Sequence, residues 1–532
     1  MYNLRKKLSR NINYGIIFLY EGGMRMDLLV ALLPALVMIT LVIVTRKVLI
    51  SLGIGVILAA LIYESWNIFS AIAYLFSSLF GILTSLDWYL PIIGFVILIG
   101  GITAVISLSG GIKAFAEWAV AKVKNPTAAK MLTWILGLII FIDDYFNALV
   151  IGEVTKPITD KYKVSRAKLA YIIDSTSAPV VILMPISTWG AYIIGIMGGL
   201  FNDVGYQEHT GFAAYLAAVP YQFYPIAAIV MVFLTIRLGI NVGPMRKFEA
   251  SAAEDNDISI MSEDETVSDE EIQGTKATQW TLIVPILVLI SMTLFLMLAA
   301  AGFQFSLFMD QEITVPLFFG GLSGFIVAVI FALIDKDVQP KKIAEVSGKG
   351  MFSMVKSAVA ILILAWMVSG AIQDLNVGNL VAGYITDSNL QASILPFILF
   401  FIAGGIAFAT GTSWGAFGIL LPIAIPIAMA TNPEFMPVII AAVLGGAVFG
   451  DHSSPVSDTT VLSATGARSK LHSHFISQLP YAFITALIAA FGYLMFALVQ
   501  FVLLSYIVMA VLFVIFVKVF KTVEEETVEH EG

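Results

Sequence analysis

Four polar stretches interrupt an otherwise apolar chain. They are Asp143-Asp144-Tyr145-Phe146-Asn147, Asp174-Ser175-Thr176-Ser177-Ala178-Pro179, Thr410-Gly411-Thr412-Ser413 and Gly450-Asp451-His452-Ser453-Ser454-Pro455-Val456-Ser457-Asp458-Thr459-Thr460. Carboxylates, hydroxyls and exposed carbonyls make a hard oxygen shell of the kind Na+ favours. Like charges held close also raise the proton affinity of one of them, so such a cluster can exchange a proton for a cation. Asp143, Asp144, Asp174 and Asp451 are the expected Na+ ligands. Asn147, Ser175, Thr176, Ser177, Thr410, Thr412, Ser413, Ser453, Ser454 and Asp458 are further candidates for the substrate and ion site. His452 is a candidate proton site because an imidazole titrates near neutral pH, whereas His472 and His474 are read as ordinary histidines of a basic loop.

A lone charge at the bilayer centre costs at least ~2.5 to 3.5 kcal/mol, so several carboxylates there need a bound cation or proton to compensate them. Asp143 and Asp144 are neighbours, and on a regular helix they would point about 100° apart. Both can converge only where the backbone is unwound, and either can instead cap a half-helix. Asp458 also reads two ways, as a partner of Ser454 on a resuming half-helix or as a plain N-cap. Glu153 is read as an ion pair with Lys156. Trp189-Gly190 after Ser187-Thr188 echoes Trp414-Gly415 after Thr412-Ser413, and tight helix packing is the favoured reason.

The elements that must hold these groups follow from composition. Of 532 residues, 59% are hydrophobic and only 12% charged, and the mean hydropathy is +0.92. Soluble domains carry roughly 25% charged residues, so the chain is an all-α polytopic membrane protein with no room for a large soluble catalytic domain. Apolar runs of ~20 residues recur along it, the signature of spanning helices and not of barrel strands. The net charge of −8 hides a basic membrane body, because 10 carboxylates crowd into Glu249 to Glu271 and 5 into Glu524 to Glu531. Cysteine is absent, which excludes disulfides, thiolate metal sites and cysteine nucleophiles. The glycine-lysine of Gly348-Lys349 is followed by Gly350, so it is no P-loop.

Loop charges decide how the interrupted segments run. Lys113, Lys122, Lys124 and Lys130 precede Met131 to Val154, and Lys156, Lys161, Lys163, Arg166 and Lys168 follow it. The positive-inside rule puts both flanks in the cytoplasm, so this segment must enter and return as a re-entrant hairpin with its tip near Asp143-Asp144. Ile398 to Ala430 has flanks poor in Lys and Arg and predicts a second hairpin of opposite orientation, with its tip near Thr410 to Ser413. The runs ending at Pro179 and Pro455 predict broken spans over Leu169 to Leu200 and Val438 to Gly466. Ala104, Leu108, Gly111, Gly137 and Phe141 recur as Ala371, Leu375, Gly378, Gly404 and Phe408 at one offset of 267 residues. The expected fold is therefore a pair of inverted repeats, each with a re-entrant hairpin and a broken transmembrane helix.

The expected organisation is a basic leader over 1–26, a first membrane region over 27–239 and an acidic disordered linker over 240–279. A second membrane region over 280–474, a C-terminal transmembrane hairpin over 475–520 and an acidic tail over 521–532 complete it. The linker and the C-terminus are expected in the cytoplasm, and the apolar piece from Ala71 to Leu83 has no assigned place.

The string Gly450-Asp451-His452-Ser453-Ser454-Pro455-Val456-Ser457-Asp458-Thr459-Thr460 resembles the signature of the NhaC-type sodium/proton antiporter family of the ion transporter superfamily. The likeness extends over roughly Leu90 to Gly466, with Asp143-Asp144 and the run at Asp174 inside it. It implies a cell-membrane antiporter that exchanges Na+ for H+ with paired carboxylates alternating between cation and proton. No cofactor and no nucleic acid are implied, the partners being the lipid bilayer, a monovalent cation and the proton. Exchange of a small carboxylate or amino acid coupled to Na+ or H+ is the alternative. An intramembrane hydrolase is disfavoured because adjacent aspartates make a poor protease dyad, and an ion channel does not need titratable carboxylates in both halves. A homodimer is one assembly the sequence permits.

Overall fold

Without water in the bilayer to receive them, backbone polar groups must be satisfied inside each segment, and helices do this. The computed structural model describes residues 23–531 apart from 46, 87–88, 121–122, 205–209, 255, 261–273, 305–306, 309–310, 378–379, 381–391 and 456. Four helices open it: α1 (Gly23–Thr45), α2 (Val48–Tyr63), α3 (Ile68–Leu83) and α4 (Tyr89–Leu108). The unassigned piece from Ala71 to Leu83 is thus most of α3. A short α5 (Gly111–Val120) leads to a hairpin of α6 (Pro126–Ile139) and α7 (Asp144–Lys161), then to a broken span of α8 (Arg166–Val181) and α9 (Thr188–Val204). α10 (Gly211–Ala218) and α11 (Phe223–Leu238) follow, their axes bent by 50°. α12 (Pro244–Ala253) lies in the linker.

The second half runs through α13 (Gln279–Ala300), α14 (Thr314–Ile334), α15 (Pro340–Met354) and α16 (Ala360–Asp374). A second hairpin, α17 (Leu395–Thr410) and α18 (Ser413–Thr431), precedes a second broken span, α19 (Met436–His452) and α20 (Asp458–Ala467). α21 (Leu471–Val499) and α22 (Val502–Glu531) end the fold. Among the described residues, eight helices are long and apolar enough to cross a membrane, or nine if the bent pair is one span.

The two halves carry the same order of elements, and a hydrogen bond shows their opposed directions. Arg166 Nη1, at the start of α8, donates to the Ala467 carbonyl at the end of α20 over 2.7 Å. One broken span therefore begins at the face where the other ends. The half-helices exchange partners accordingly: α7 and α8 both pack on α20, while α9 packs on α18. The crossing of α17 with α19 and that of α7 with α20 need bare backbone. A Cβ on Gly450 would lie 2.1 Å from the Gly404 carbonyl oxygen, and one on Gly152 would lie 2.3 Å from the Gly466 carbonyl carbon.

Two expectations need correction. Asp174 to Pro179 do not break the first span; they lie inside α8, and the break covers 182–187. Pro179 removes one helical hydrogen bond, a loss tolerated in a helix held by neighbours on every side. The chain turns instead at Pro185, where Ser187 Oγ donates to the carbonyls of Val181 at 2.8 Å and Met184 at 2.7 Å. The second span breaks over 453–457, at Pro455 as the sequence indicates.

The linker is the second correction, because much of it is folded. Glu249 on α12 accepts from Ser165 N at 2.8 Å and Ser165 Oγ at 2.7 Å, and lies 3.6 Å from Lys130 Nζ. Asp257 accepts from Arg166 N at 2.8 Å and Ser259 Oγ from Ala167 N at 3.1 Å. These groups satisfy amides at the start of α8 that have no partner within their own helix. At the far end Asp335 accepts from the amides of Thr275 and Lys276, each at 2.8 Å. Those backbone donors, Lys276 first, hold the Asp335 carboxyl below the usual carboxylate range. The middle of the linker at 261–273, the leader at 1–22, Lys122 and the Glu153 side chain fall outside the described residues.

Candidate functional site

The α6–α7 hairpin unwinds at its tip, and Asp143 sits there in extended conformation, φ −154° and ψ 140°, as the N-cap of α7. Its carboxylate accepts from Phe146 N at 3.0 Å and from Thr188 Oγ1, on α9, at 3.0 Å. Unwinding sends the neighbouring side chain elsewhere. Asp144 Oδ1 accepts from Trp189 Nε1 at 2.9 Å, while Asp144 Oδ2 is buried with no hydrogen-bond partner. Trp189 is therefore more than a packing residue, although its ring also meets Trp414 edge-on with centroids 5.7 Å apart. Asn147 stays local, its Nδ2 donating to the carbonyls of Gly137 at 3.0 Å and Ile140 at 2.5 Å at the end of α6.

The second half meets this tip through α20. Tyr145 donates its hydroxyl to Asp458 Oδ2. Asp458 occupies the first turn of α20, where Ser457 is the N-cap and accepts from Thr460 N. The amide of Asp458 donates to the Gly411 carbonyl at 3.2 Å, joining the broken span to the tip of the second hairpin. Gly411 makes that tip possible, with φ 70° in the left-handed region that ends α17. Between the two tips lies a cavity of ≈ 310 Å³ lined by Asp143, Asp144, Tyr145, Asp458, Thr410 and Thr412, among others.

The remaining aspartates are buried with their oxygens occupied. Asp451 accepts from Ser413 Oγ at 2.8 Å, from Ser457 Oγ, and from Thr459 Oγ1 at 3.3 Å. Asp174 accepts from Ser463 Oγ at 3.2 Å, Thr460 Oγ1 at 3.3 Å and Gln478 Nε2 at 2.5 Å. His474 Nε2 lies 3.5 Å from Asp174, so His474 belongs to this buried nest on α21 and not to an ordinary loop. His452 Nδ1 lies 3.1 Å from the Tyr224 hydroxyl, and its carbonyl accepts from the same Gln478 amide at 2.9 Å.

The four aspartates expected as joint Na+ ligands are thus distributed. Among the described residues, no three Asp, Glu or His groups form a cluster that could hold a metal ion. Asp143 and Asp144 line the cavity, with Asp458 opposite; Asp174 and Asp451 do not line it. Thr176 and Ser177 bond to carbonyls of their own helix, at 2.7 Å to Ile172 and 3.1 Å to Asp174, and Ser453 does so at 2.7 Å to Phe449. Ser175 and Ser454 are buried in α8 and in the second break. Tyr145, Thr188, Trp189, Gln478, Thr460 and Ser463 take part although reading the sequence assigned none of them to the site. Their roles depend on contacts between distant segments, and the Trp-Gly echo was the one local sign of them.

The Na+/H+ antiporter family model matches residues 180–498 of the chain. An uncharacterized Haemophilus influenzae protein is 39% identical over 477 residues, covering 87% of this chain and 90% of its own length. A Bacillus subtilis protein named malate-2H(+)/Na(+)-lactate antiporter is 27% identical over 180 residues, 33% of this chain and 36% of its own. Among solved structures, that of the Alcanivorax borkumensis YdaH transporter is similar in fold, with a TM-score of 0.50 at 14% identity over 80% of this chain and 88% of that one. The chain is a multi-pass membrane protein that belongs to the Na+/H+ antiporter family, whose NhaC-type signature it carries at Gly450 to Thr460.

Proposed function

We propose that this secondary antiporter exchanges Na+ for H+ at the cavity between the hairpin tips, with Asp144 as the group that alternates between them. The observation that carries this reading is Asp144 Oδ2, a buried carboxylate oxygen without a hydrogen-bond partner beside a cavity that also meets Asp143 and Asp458. A buried charge left unpaired is costly, and either a proton or a cation removes the cost. Na+ bound there would take carboxylate oxygen from Asp144 and draw on hydroxyls and carbonyls at Thr410, Gly411 and Thr412. A proton on the same carboxylate removes the charge that holds the cation, so the two compete. In this reading Asp451 and Asp174 hold the second break in shape and are not ligands. The basic loops, the linker and the C-terminus are assigned to the cytoplasm by the positive-inside rule.

Coupled exchange of a small carboxylate is the second reading. A volume of ≈ 310 Å³ exceeds what a bare Na+ needs. Thr412, the N-cap of α18, makes no side-chain capping bond, which leaves a positive helix end facing the cavity. Purified protein in liposomes with a pH-sensitive dye inside, offered a panel of cations and organic acids, separates the readings. Na+ alone should drive proton movement. Proton movement only when an organic acid is present would select the second reading, and none under any gradient would sink both.

A further inference from the structure

A second cavity of ≈ 450 Å³ lies between α4 and α15 and runs up to the carboxylate site. Its outer end carries Lys342 and Lys349, and the Lys349 side chain is 72% exposed, so this end meets solvent on the basic face. Glu345 offsets these two lysines at 3.8 Å and 2.7 Å. The same cavity is lined by the hydroxyls of Thr103, Ser107 and Ser353, and by Asp143 and Tyr145, which also border the inner cavity. The charge thus changes from weakly positive at the mouth to a carboxylate beside the inner cavity, with hydroxyl oxygens in the same lining that can replace waters of a hydrated cation.

Asp143, Tyr145 and Met354 line this cleft and the inner cavity alike. The first two belong to the site itself, which leaves Met354 as the boundary. Met354 ends α15, and the next five residues, Val355–Val359, form a π-helical turn before α16. A π-turn inserts a residue into the helical ladder and is frequent where helices serve function. An unbranched thioether side chain with three rotatable bonds can swing where a β-branched one cannot.

We propose that the α4–α15 cleft is an entry vestibule for hydrated monovalent cations, and that Met354 gates its inner end. The proposal rests on the antiport reading of the inner cavity, but its test reads accessibility and not transport. Single cysteines are placed in this naturally cysteine-free chain, Ser107→Cys in the vestibule and Thr412→Cys in the inner cavity. Each is combined with Met, with Met354→Ala or with Met354→Trp, and a cationic methanethiosulfonate reagent is applied from the basic face of inverted membrane vesicles. Ser107→Cys should react at the same rate in all three backgrounds. Thr412→Cys should react several-fold faster behind Met354→Ala and at least tenfold slower behind Met354→Trp. Equal Thr412→Cys rates in all backgrounds, or a Ser107→Cys that does not react from this face, would overturn the proposal. If the Trp variant does not fold, the Ala comparison decides by itself. Loss of Na+-driven proton flux in the unmodified protein would instead remove the antiport reading and leave the labelling pattern intact.

Discussion

The Tyr145 hydroxyl, on the first turn of α7, donates to Asp458 Oδ2 on the first turn of α20, and so bridges the hairpin of one repeat to the broken span of the other. The two helices start at the same cavity and run from it packed together, with Gly152 and Gly466 allowing their backbones to touch. In the exchange proposed above, this bridge would couple occupancy of the cavity to the relative position of the two repeats.

Tyr145→Phe keeps the ring and removes that bridge. A hydrogen bond to a charged group contributes about 1.5–3 kcal/mol, so the apparent Na+ affinity should change by roughly tenfold or more. The Na+ dependence of proton flux in liposomes measures it, and an unchanged dependence would show the bridge to be incidental.

Gly450→Ala places a methyl 2.1 Å from the Gly404 carbonyl oxygen, a contact that backbone cannot yield cheaply. Overpacking of this kind costs typically 1–3 kcal/mol. The purified variant should show a lower thermal midpoint, whereas Gly405→Ala, with nothing within 4 Å of its added Cβ, should match the parent.

Deleting 261–273 should leave transport near the parent rate, because the linker's hydrogen bonds to the start of α8 and to Asp335 come from residues on either side of that stretch. Extending the deletion to Asp257 and Ser259 removes caps from Arg166 N and Ala167 N and should lower folded protein in the membrane. Capping groups contribute ~0.5–2 kcal/mol each. Equal abundance of both deletion variants would contradict a structural role for this segment.

Lys124 and Lys161, which flank the α6–α7 hairpin, should lie on one face of the membrane. Single cysteines at these positions should be labelled from that face together. Labelling from opposite faces would turn the hairpin into a crossing.

Both hairpin tips were legible in the sequence because charge is a one-dimensional signal: Lys130 and Lys156 bracket a segment too polar at its centre to be a plain span. The second break was legible at Pro455 because a proline removes an amide donor and disfavours helix in the residue before it. The first was misplaced because two prolines, Pro179 and Pro185, compete, and only burial of α8 on all sides decides that the helix continues through Pro179. Which carboxylates are occupied was not legible. Asp174 is held by Thr460, Ser463 and Gln478, all more than 280 residues away along the chain. Nothing near Asp174 in sequence distinguishes it from Asp144, whose one partner on Oδ1 leaves Oδ2 bare.

The central claim is that Asp144 carries the exchange, and Asp144→Asn tests it most directly, because it keeps the shape and the contact with Trp189 while removing the charge. Na+-driven proton flux per molecule should fall to the level of empty liposomes, with the variant still inserted and monodisperse in detergent. Asp451→Asn, at a carboxylate occupied by Ser413, Ser457 and Thr459, should instead lower abundance and leave exchange by the surviving protein. An Asp144→Asn protein that exchanges Na+ for H+ at the parent rate would contradict the account.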